Sequence, residues 1–323
     1  MRALVLTAGL GTRLRPLTYV RAKAAVPING EPLARRVLRW LASQGFREAV
    51  LNLHHHPETI AALVGDGRDL DVRVRYSWEN PVLGSAGGPR HALPLLINGS
   101  SSGGGTFLIV NGDTLTALSA SEVLASHRRS RALVTMAVIP NRWPEKYGGV
   151  LLGELSGTDA AVTGFTVPNP ALPSYHFVGI QVAEAAAFEQ LSDGVPAETV
   201  IELYPKLIAE RPGCVRAFVC DASFHDIGTP ADYLATSLAL ARVEGDALVS
   251  KSASIDAAAT LERTAVWDDV TVAAGARLVE CIVCDGVRIP SGTHLTRKAI
   301  VGAAHRTPRP GETIEGDLLI REF

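Results

Sequence analysis

Leu6-Thr7-Ala8-Gly9-Leu10-Gly11-Thr12-Arg13-Leu14-Arg15-Pro16-Leu17-Thr18, followed by Lys23 and Pro27, decides how this chain is read. The run leaves a short apolar segment, Arg2 to Thr7, which predicts a strand. It then enters a loop with two glycines and two arginines. Glycine lets backbone N–H groups come close to phosphate oxygens. Arg13, and Lys23 ten residues on, are two cations able to close on the same phosphates. No Gly-Lys-Ser/Thr follows the glycines, so the loop is not a P-loop. The residues point to a site for a nucleoside triphosphate.

Outward from this loop, strand and helix patterns alternate. Glu31–Gly45 reads as a helix, with Leu33, Val37, Trp40 and Leu41 on one face and Gly45 where it stops. Ala49–Leu53 reads as a strand, Glu58–Val64 as a helix, and Val72, Val74 and Tyr76 as an alternating strand. Phe107–Val110 and Leu133–Ile139 read as buried strands. This order predicts an α/β fold with a mainly parallel sheet and helices on both faces. Ligands of such sheets bind beyond the carboxyl ends of the strands. The Gly9–Gly11 loop and Asp113, in Asn111-Gly112-Asp113, both fall there. Asn98 to Gly105 is a Gly/Ser-rich loop, expected as a flexible link without chemistry.

From about Asp246 the pattern changes. Val249, Ile255, Leu261, Trp267, Val272, Leu278, Val283, Ile289, Leu295 and Val301 recur at spacings of six, with two of five. That period fits the turns of a hexapeptide left-handed β-helix of about three coils, each apolar residue pointing into a narrow prism. The tail after Ala304, with Pro308 and Pro310, is expected to pack back irregularly. Two domains follow: residues 1–243 and residues 246–323.

Composition sets the limits. The 323 residues are 47% hydrophobic, enough for a large core without disulfides, and the net charge of −2 carries no footprint for nucleic acid or an anionic membrane. No run of eighteen apolar residues occurs, and a cytoplasmic protein is expected. Cys281 and Cys284 form a C-x-x-C without two further ligands at zinc spacing, so buried strand positions are expected of them. His54, His55 and His56 are adjacent on an extended segment, point to opposite faces, and read as a polar strand-to-helix turn.

The run A-G-x-G-T-R-L-R-P-L-T with its following lysine resembles the signature of the sugar-1-phosphate nucleotidyltransferases. One departure is visible: that family usually has Pro-Lys, and here Ala22 precedes Lys23. The resemblance implies a Rossmann-like catalytic domain that joins a sugar 1-phosphate to a nucleoside triphosphate and releases pyrophosphate. It also implies Mg²⁺ as cofactor. Magnesium takes a few carboxylates plus phosphate oxygens. By likeness to the family's motifs these are Asp113 and Asp226, the latter in His225-Asp226-Ile227-Gly228-Thr229-Pro230. Thr229-Pro230-Ala231-Asp232 also reads as a capped helix start. Arg13 is assigned to the β- and γ-phosphates and Lys23 to the α-phosphate, so Arg13, Lys23 and Asp113 form the catalytic set. No general base is needed, because the sugar phosphate is already ionised.

Leu6, Ala8, Gly9, Gly11, Thr12, Arg13 and Gly112 are expected to line the nucleotide, with Glu79, Gly84 and Ser85 of a base-recognition loop, Glu79 to Gly88. Leu83-Gly84-Ser85-Ala86-Gly87 is closest to the variant typical of guanylyl transfer to mannose 1-phosphate, so GTP and that sugar are favoured. Tyr147-Gly148-Gly149-Val150 resembles a sugar-contacting segment, and Phe177 and Val178 fit a later sugar-side strand. The family's Glu-Lys-Pro is absent: Phe165-Thr166-Val167-Pro168 stands there, leaving Arg142 or Lys146 as substitute cations. This departure keeps open a uridylyltransferase for an amino-sugar 1-phosphate such as N-acetylmuramate 1-phosphate, or a non-catalytic nucleotide-sugar-binding homologue. A homo-oligomer assembled through the β-helix is also expected.

Overall fold

The structure, a computed structural model, describes residues 1–97, 105–304 and 306–323. Asn98 to Gly104, most of the expected flexible link, lie outside the described residues. The chain forms two compact units, the first from residues 1–9, 37–57 and 64–225, the second from residues 10–36, 58–63 and 226–323. No helix among the described residues is long and apolar enough to cross a membrane.

A nine-stranded sheet organises the first unit. Its strands are β1 (Ala3–Leu6), β2 (Glu48–Leu53), β3 (Arg73–Trp78), β4 (Thr106–Asn111), β5 (Val134–Pro140), β6 (Gly149–Leu152), β7 (Asp159–Thr166), β8 (Tyr175–Glu184) and β9 (Val215–Val219), in the order β3-β2-β1-β4-β8-β5-β9-β7-β6. The first four run parallel, as expected of buried apolar runs such as Ala3-Leu4-Val5. From β8 onward the sheet is mixed: β8 is antiparallel to both β4 and β5, while β9 is parallel to β5. Its core gathers Leu4, Val50, Phe107, Ile109, Met136 and Val138 with Phe188 and Tyr204.

Local chemistry explains where the helices begin. The helix read from Glu31 starts at Leu33, as α1 (Leu33–Ser43), because Glu31–Pro32 pairs with Pro27–Ile28 in a hairpin. Asn29 and Gly30 both take positive φ, 46° and 77°, the conformation of a two-residue hairpin turn. Helix α2 (Pro57–Val64) follows the three histidines, with His56 at φ 45°. The expected Glu79–Gly88 loop is corrected at its second half: Gly84 opens α3 (Gly84–Ile97), so Ser85 to Gly88 form the first turn of a helix. Helices α4 (Ala120–Ser130), α5 (Tyr204–Glu210) and α6 (Pro230–Glu244) complete the set.

In the second unit, residues 254–302 form a three-sided parallel β-helix. Partners on successive coils are seventeen residues apart: Ile255 with Val272 and Ile289, Leu261 with Leu278 and Leu295, Val266 with Val283 and Ile300. On the third face the inward positions are therefore Val266 and Ile300, not Trp267 and Val301. Trp267 is buried in the adjoining corner, where its Nε1 donates to the Tyr233 hydroxyl at 2.7 Å. Each inward aliphatic contributes about 1.5–3 kcal/mol, less for three than ordering a whole coil costs at ~1–2 kcal/mol per residue, so the coils hold only by stacking.

The tail departs from expectation too. Glu312–Glu315 and Leu318–Glu322 pair as a hairpin that extends the sheet from Lys298–Gly302. Leu318, Leu319 and Ile320 are buried, so the hairpin covers what would be an open strand edge. Cys281 and Cys284 are fully buried free thiols flanking a strand of the third face, and burial raises the pKa of both.

Candidate active site

In the first unit, parallel pairing sets Leu6 of β1 opposite Asn111 of β4, so both strands end together. Gly112 N–H then donates to Leu6 O at 3.0 Å. A Cβ on Gly112 would stand 2.7 Å from that oxygen and 2.8 Å from Thr7 Cγ2, which is why glycine occupies the position. Asp113 follows, half-buried. Gly179, at φ 79°, lies in an irregularity of β8 between Phe177 and Gln181, and its Cβ would meet Asn111 and Thr114 at 3.0 Å. Val178, just before Gly179, is fully buried, and Phe177, opposite Val138 of β5, is half-buried.

Ala8 and Gly9 continue β1, Ala8 buried and Gly9 exposed. Asn52 fixes their path: its Oδ1 accepts from Thr7 N at 2.6 Å and from Ala8 N at 3.3 Å. Its Nδ2 donates to Glu79 Oε1 at 2.7 Å, and Glu79 Oε2 accepts from Leu83 N at 2.8 Å. Glu79 is only 4% exposed, with both carboxylate oxygens engaged inside the protein. Its place is that of a bracket between the β1 loop and the segment leading into α3.

Gly84 takes φ 76°, and a Cβ there would stand 2.6 Å from Glu198 Oε1 and 2.7 Å from Ala197 O. Ser85 N donates to Glu198 Oε2 at 3.2 Å, and Ala86 N and Gly87 N donate to Ala197 O. The first N–H groups of α3 thus already have acceptors from residues 197–198, the usual need of a helix start.

On the expected sugar side, Thr166 pairs with Gly149, and Cβ atoms on Gly148 and Gly149 would collide with Thr166 O at 2.7 Å and with Ser174 Oγ. Val167 is 77% exposed. Tyr147 of the motif is joined by two aromatic rings from outside it. The Tyr147 ring lies 4.4 Å from that of His176 and 6.0 Å from Phe224, and His176 lies 4.4 Å from Phe224. Lys146 Nζ stands 5.0 Å from the Tyr147 ring centroid. Burial, with the Lys146 charge, lowers the His176 pKa to about 4, so the imidazole is neutral at pH 7. Both of its nitrogens are buried without a hydrogen-bond partner among the described residues.

The second unit holds Gly11, Thr12, Arg13, Lys23 and Asp226. Gly11 takes φ 59°, and its Cβ would lie 2.7 Å from Thr18 Cγ2 and 3.3 Å from Lys23 Cβ. Thr18 Oγ1 donates to Gly11 O at 2.9 Å, which folds the loop back on itself. Short 3₁₀ turns, Thr12–Leu14, Leu17–Tyr19 and Lys23–Ala25, carry the cations, while Leu14 and Leu17 are fully buried. Thr12 and Arg13 are exposed and Lys23 half-buried. Ala22, where proline is usual, uses the N–H that proline would lack: it donates to Thr59 Oγ1 at 3.1 Å. At Gly228 a Cβ would stand 2.9 Å from Asp226 Oδ2, 3.3 Å from Asp232 Oδ2 and 3.5 Å from Arg13 Nη1, so these three side chains gather around one glycine. The Thr229 side chain and Asp232 form the reciprocal cap that starts α6, with N–H to oxygen distances of 3.1 and 3.2 Å.

Asn52, His176 and Glu198 were not singled out from sequence. Asn52 does carry a signal, as the one polar residue in Ala49-Val50-Leu51-Asn52-Leu53. Glu198 carries none, because its partner Ser85 lies 113 residues away.

A glycine-bearing loop after β1, an Asn-Gly-Asp corner after β4 and a following β-helix define the class: an α/β nucleotide-handling domain joined to a hexapeptide-type module. A family model described as nucleotidyl transferase matches residues 2–243. The chain belongs to that family, as a sugar-1-phosphate nucleotidyltransferase. A mannose-1-phosphate guanylyltransferase of Mycobacterium tuberculosis is 29% identical over 307 residues, 91% of this chain and 83% of that protein. A UTP–glucose-1-phosphate uridylyltransferase of Synechocystis sp. is 28% identical over 72% of this chain and 61% of that protein. The fold resembles that of HddC from Yersinia pseudotuberculosis, with a TM-score of 0.63 and 22% identity over 74% of this chain and 99% of that one. A putative glucose-1-phosphate thymidylyltransferase from Bacillus anthracis also gives a TM-score of 0.63, at 18% identity over 75% of this chain and 95% of that one.

Proposed function

We propose that the chain transfers a guanylyl group from GTP to mannose 1-phosphate, releasing pyrophosphate. The observation that carries this reading is the likeness of nine-tenths of the chain to mannose-1-phosphate guanylyltransferases, together with Leu83-Gly84-Ser85-Ala86-Gly87 at the start of α3. The sugar phosphate is its own nucleophile. One of its oxygens forms a bond to the α-phosphorus as the bond to the β-phosphate oxygen breaks, and the electron pair leaves with pyrophosphate.

Two anionic reactants must approach, so cations matter most. Arg13 is assigned to the β- and γ-phosphates and the leaving pyrophosphate, and Lys23 to the α-phosphate. Leu6, Ala8, Gly9, Gly11, Thr12 and Gly112 would line the nucleotide with Gly84 and Ser85, while Glu79 holds their frame. Tyr147, Gly148, Gly149, Phe177 and Val178 would line the sugar. Lys146, beside the Tyr147 ring, is the substitute for the missing sugar-phosphate lysine. Asp113 and Asp226 are half-buried carboxylates, hard oxygen donors that suit Mg²⁺. Bound there, the ion would neutralise charge on the phosphates. Residues 1–243 are assigned the chemistry and residues 246–323 the β-helix module, with self-association through the latter and action in the cytoplasm.

The test is a pyrophosphate-release screen of GTP, UTP, dTTP and ATP against mannose, glucose and amino-sugar 1-phosphates. GTP with mannose 1-phosphate is expected to turn over fastest. Preference for UTP, as in the Synechocystis relative's name, would overturn the base assignment. Asp113→Asn should lower kcat by about 100- to 1,000-fold with an unchanged melting temperature. A variant with normal turnover would remove Asp113 from the metal site.

A further inference from the structure

Arg21 is an arginine that the transfer chemistry leaves unused, two residues before Lys23. It is only 9% exposed. Its Nε donates to Asp285 Oδ2 at 2.6 Å, and its Nη2 donates to Asp285 Oδ1 at 2.7 Å and to Asp268 Oδ2 at 2.6 Å. The two aspartates occupy equivalent corners of successive β-helix coils, seventeen residues apart. They are themselves tied: Asp268 N donates to Asp285 Oδ1 at 3.1 Å, and Ser250 Oγ donates to Asp268 Oδ1. The guanidinium carbon lies 5.5 Å from the Trp267 ring centroid. Burial alone would depress the Arg21 pKa, and the two carboxylates outweigh it, so the guanidinium stays charged.

Stability is a poor reason to bury such a group, since well-packed apolar residues commonly serve as well. A two-pronged guanidinium–carboxylate contact offers direction instead: it fixes where the backbone of residue 21 sits and how it is turned. The same segment has further ties to the C-terminal residues. Tyr19 Oη donates to Glu312 Oε1 at 2.8 Å, Arg306 Nη2 donates to Tyr19 O at 3.0 Å, and Arg321 Nη1 donates to Arg15 O at 3.1 Å. Residues 12–25 consist of short 3₁₀ turns, whose own hydrogen bonds hold a path weakly. Their shape is set from outside, by residues 268, 285, 306, 312 and 321.

We infer that Asp268 and Asp285 are positioning residues for the triphosphate: through Arg21 they hold the loop that presents Arg13 and Lys23, which makes the β-helix a working part of the nucleotide site as well as an assembly module. The inference rests on the reading that Arg13 and Lys23 engage the triphosphate.

Full-length Asp285→Asn and the Asp268→Asn/Asp285→Asn pair test it. The expected result is a rise of about tenfold to hundredfold in KM for the triphosphate, with KM for the sugar 1-phosphate within about twofold of the parent. Asp285→Glu, which restores the charge, should recover most of the loss. Hydrogen exchange at the amides of residues 10–25 should quicken while β1, β2 and β4 stay protected. Folded variants with parental triphosphate KM and unchanged exchange at residues 10–25 would overturn the proposal. If the double variant does not fold, Arg21→Lys keeps the charge and loses the fork, and a parental KM for it would overturn the proposal equally. Exchange separates the two levels. If the parent turns over no triphosphate, the transfer reading fails, while faster exchange at residues 10–25 still upholds the clamp and unchanged exchange sinks it.

Discussion

His176 is the residue at which this chain stakes most on staying neutral. It sits between the Tyr147 and Phe224 rings with neither nitrogen bonded among the described residues, and its folded pKa of about 4 lies below the ~6.5 of an unfolded histidine. Protonation therefore favours the unfolded chain. The contribution to stability is complete above about pH 6.5 and is lost progressively as pH falls toward 4. No described acid offsets this: the facing charge is Lys146, itself positive, while Tyr147 and Phe224 bring only ring faces and the paired β5 residue is Ile139. His176→Phe should flatten the fall in urea midpoint between pH 7 and pH 5 and leave the pH 7.5 value nearly unchanged. Parallel profiles for parent and variant would show that the ring is not held neutral by its surroundings. Carboxylates such as Asp268 are distinguishable, because both chains share them. Burial raises the Asp268 pKa, but the Ser250 hydroxyl and Arg21 outweigh it, so its contribution is lost only below the ordinary aspartate range.

Helix α3 shows how an element hides in a glycine-rich string. Gly87 and Gly88 read as loop residues by composition, yet both are helical, and they are glycine because neighbouring chain leaves no room for a side chain. A Cβ on Gly87 would stand 2.6 Å from Val195 O, and one on Gly88 would stand 2.7 Å from Glu79 Oε1 and 2.9 Å from Asn52 Nδ2. Gly88→Ala would gain ~1 kcal/mol of helix propensity and lose ~1–3 kcal/mol to overpacking, besides disturbing a buried carboxylate's bonds. The net expectation is destabilisation, read as a lower urea midpoint with unchanged slope. A stabilised variant would show that the Glu79–Asn52 bracket yields freely. What sequence conveyed follows from range. Strands β1, β2 and β4 and the Thr229–Asp232 cap are consequences of a few adjacent residues. The start of α3 and the Gly179 irregularity depend on partners far along the chain. The same division applies at the site: Arg13, Lys23 and Asp113 stand in motifs, whereas His176 owes its place to a fold-level meeting with Tyr147 and Phe224.

At the scale of the molecule, the period of six announced the β-helix but not its coil of seventeen residues, because each coil contains one five-residue step, Leu261 to Val266, Leu278 to Val283 and Leu295 to Ile300, which puts Val266 rather than Trp267 inward. The freed Trp267 then packs at 5.9 Å against Tyr233 of α6, whose hydroxyl donates to Pro27 O at 2.7 Å. Asn29 adds bonds to Gly245 O and from Ala247 N, and Arg36 pairs with Glu244 at 2.8 Å. In the second unit the segment of residues 10–36 is thus buried by residues that come 200 or more positions later. Deleting residues 246–323 would strip Arg21 of both carboxylates and of the Trp267 ring, Tyr19 of its Glu312 partner and Tyr233 of Trp267, opening this segment to water. With only ~5–15 kcal/mol holding most domains together, losing these contacts at once leaves little margin. A chain ending at Gly245 should therefore be cut by trypsin within residues 13–36 under conditions where the full chain is resistant, and should melt well below it. If the shortened chain kept both the parental melting temperature and the protection of Arg13, Arg21 and Lys23, the amino-terminal loop would be self-supporting, and the β-helix would be an attachment only.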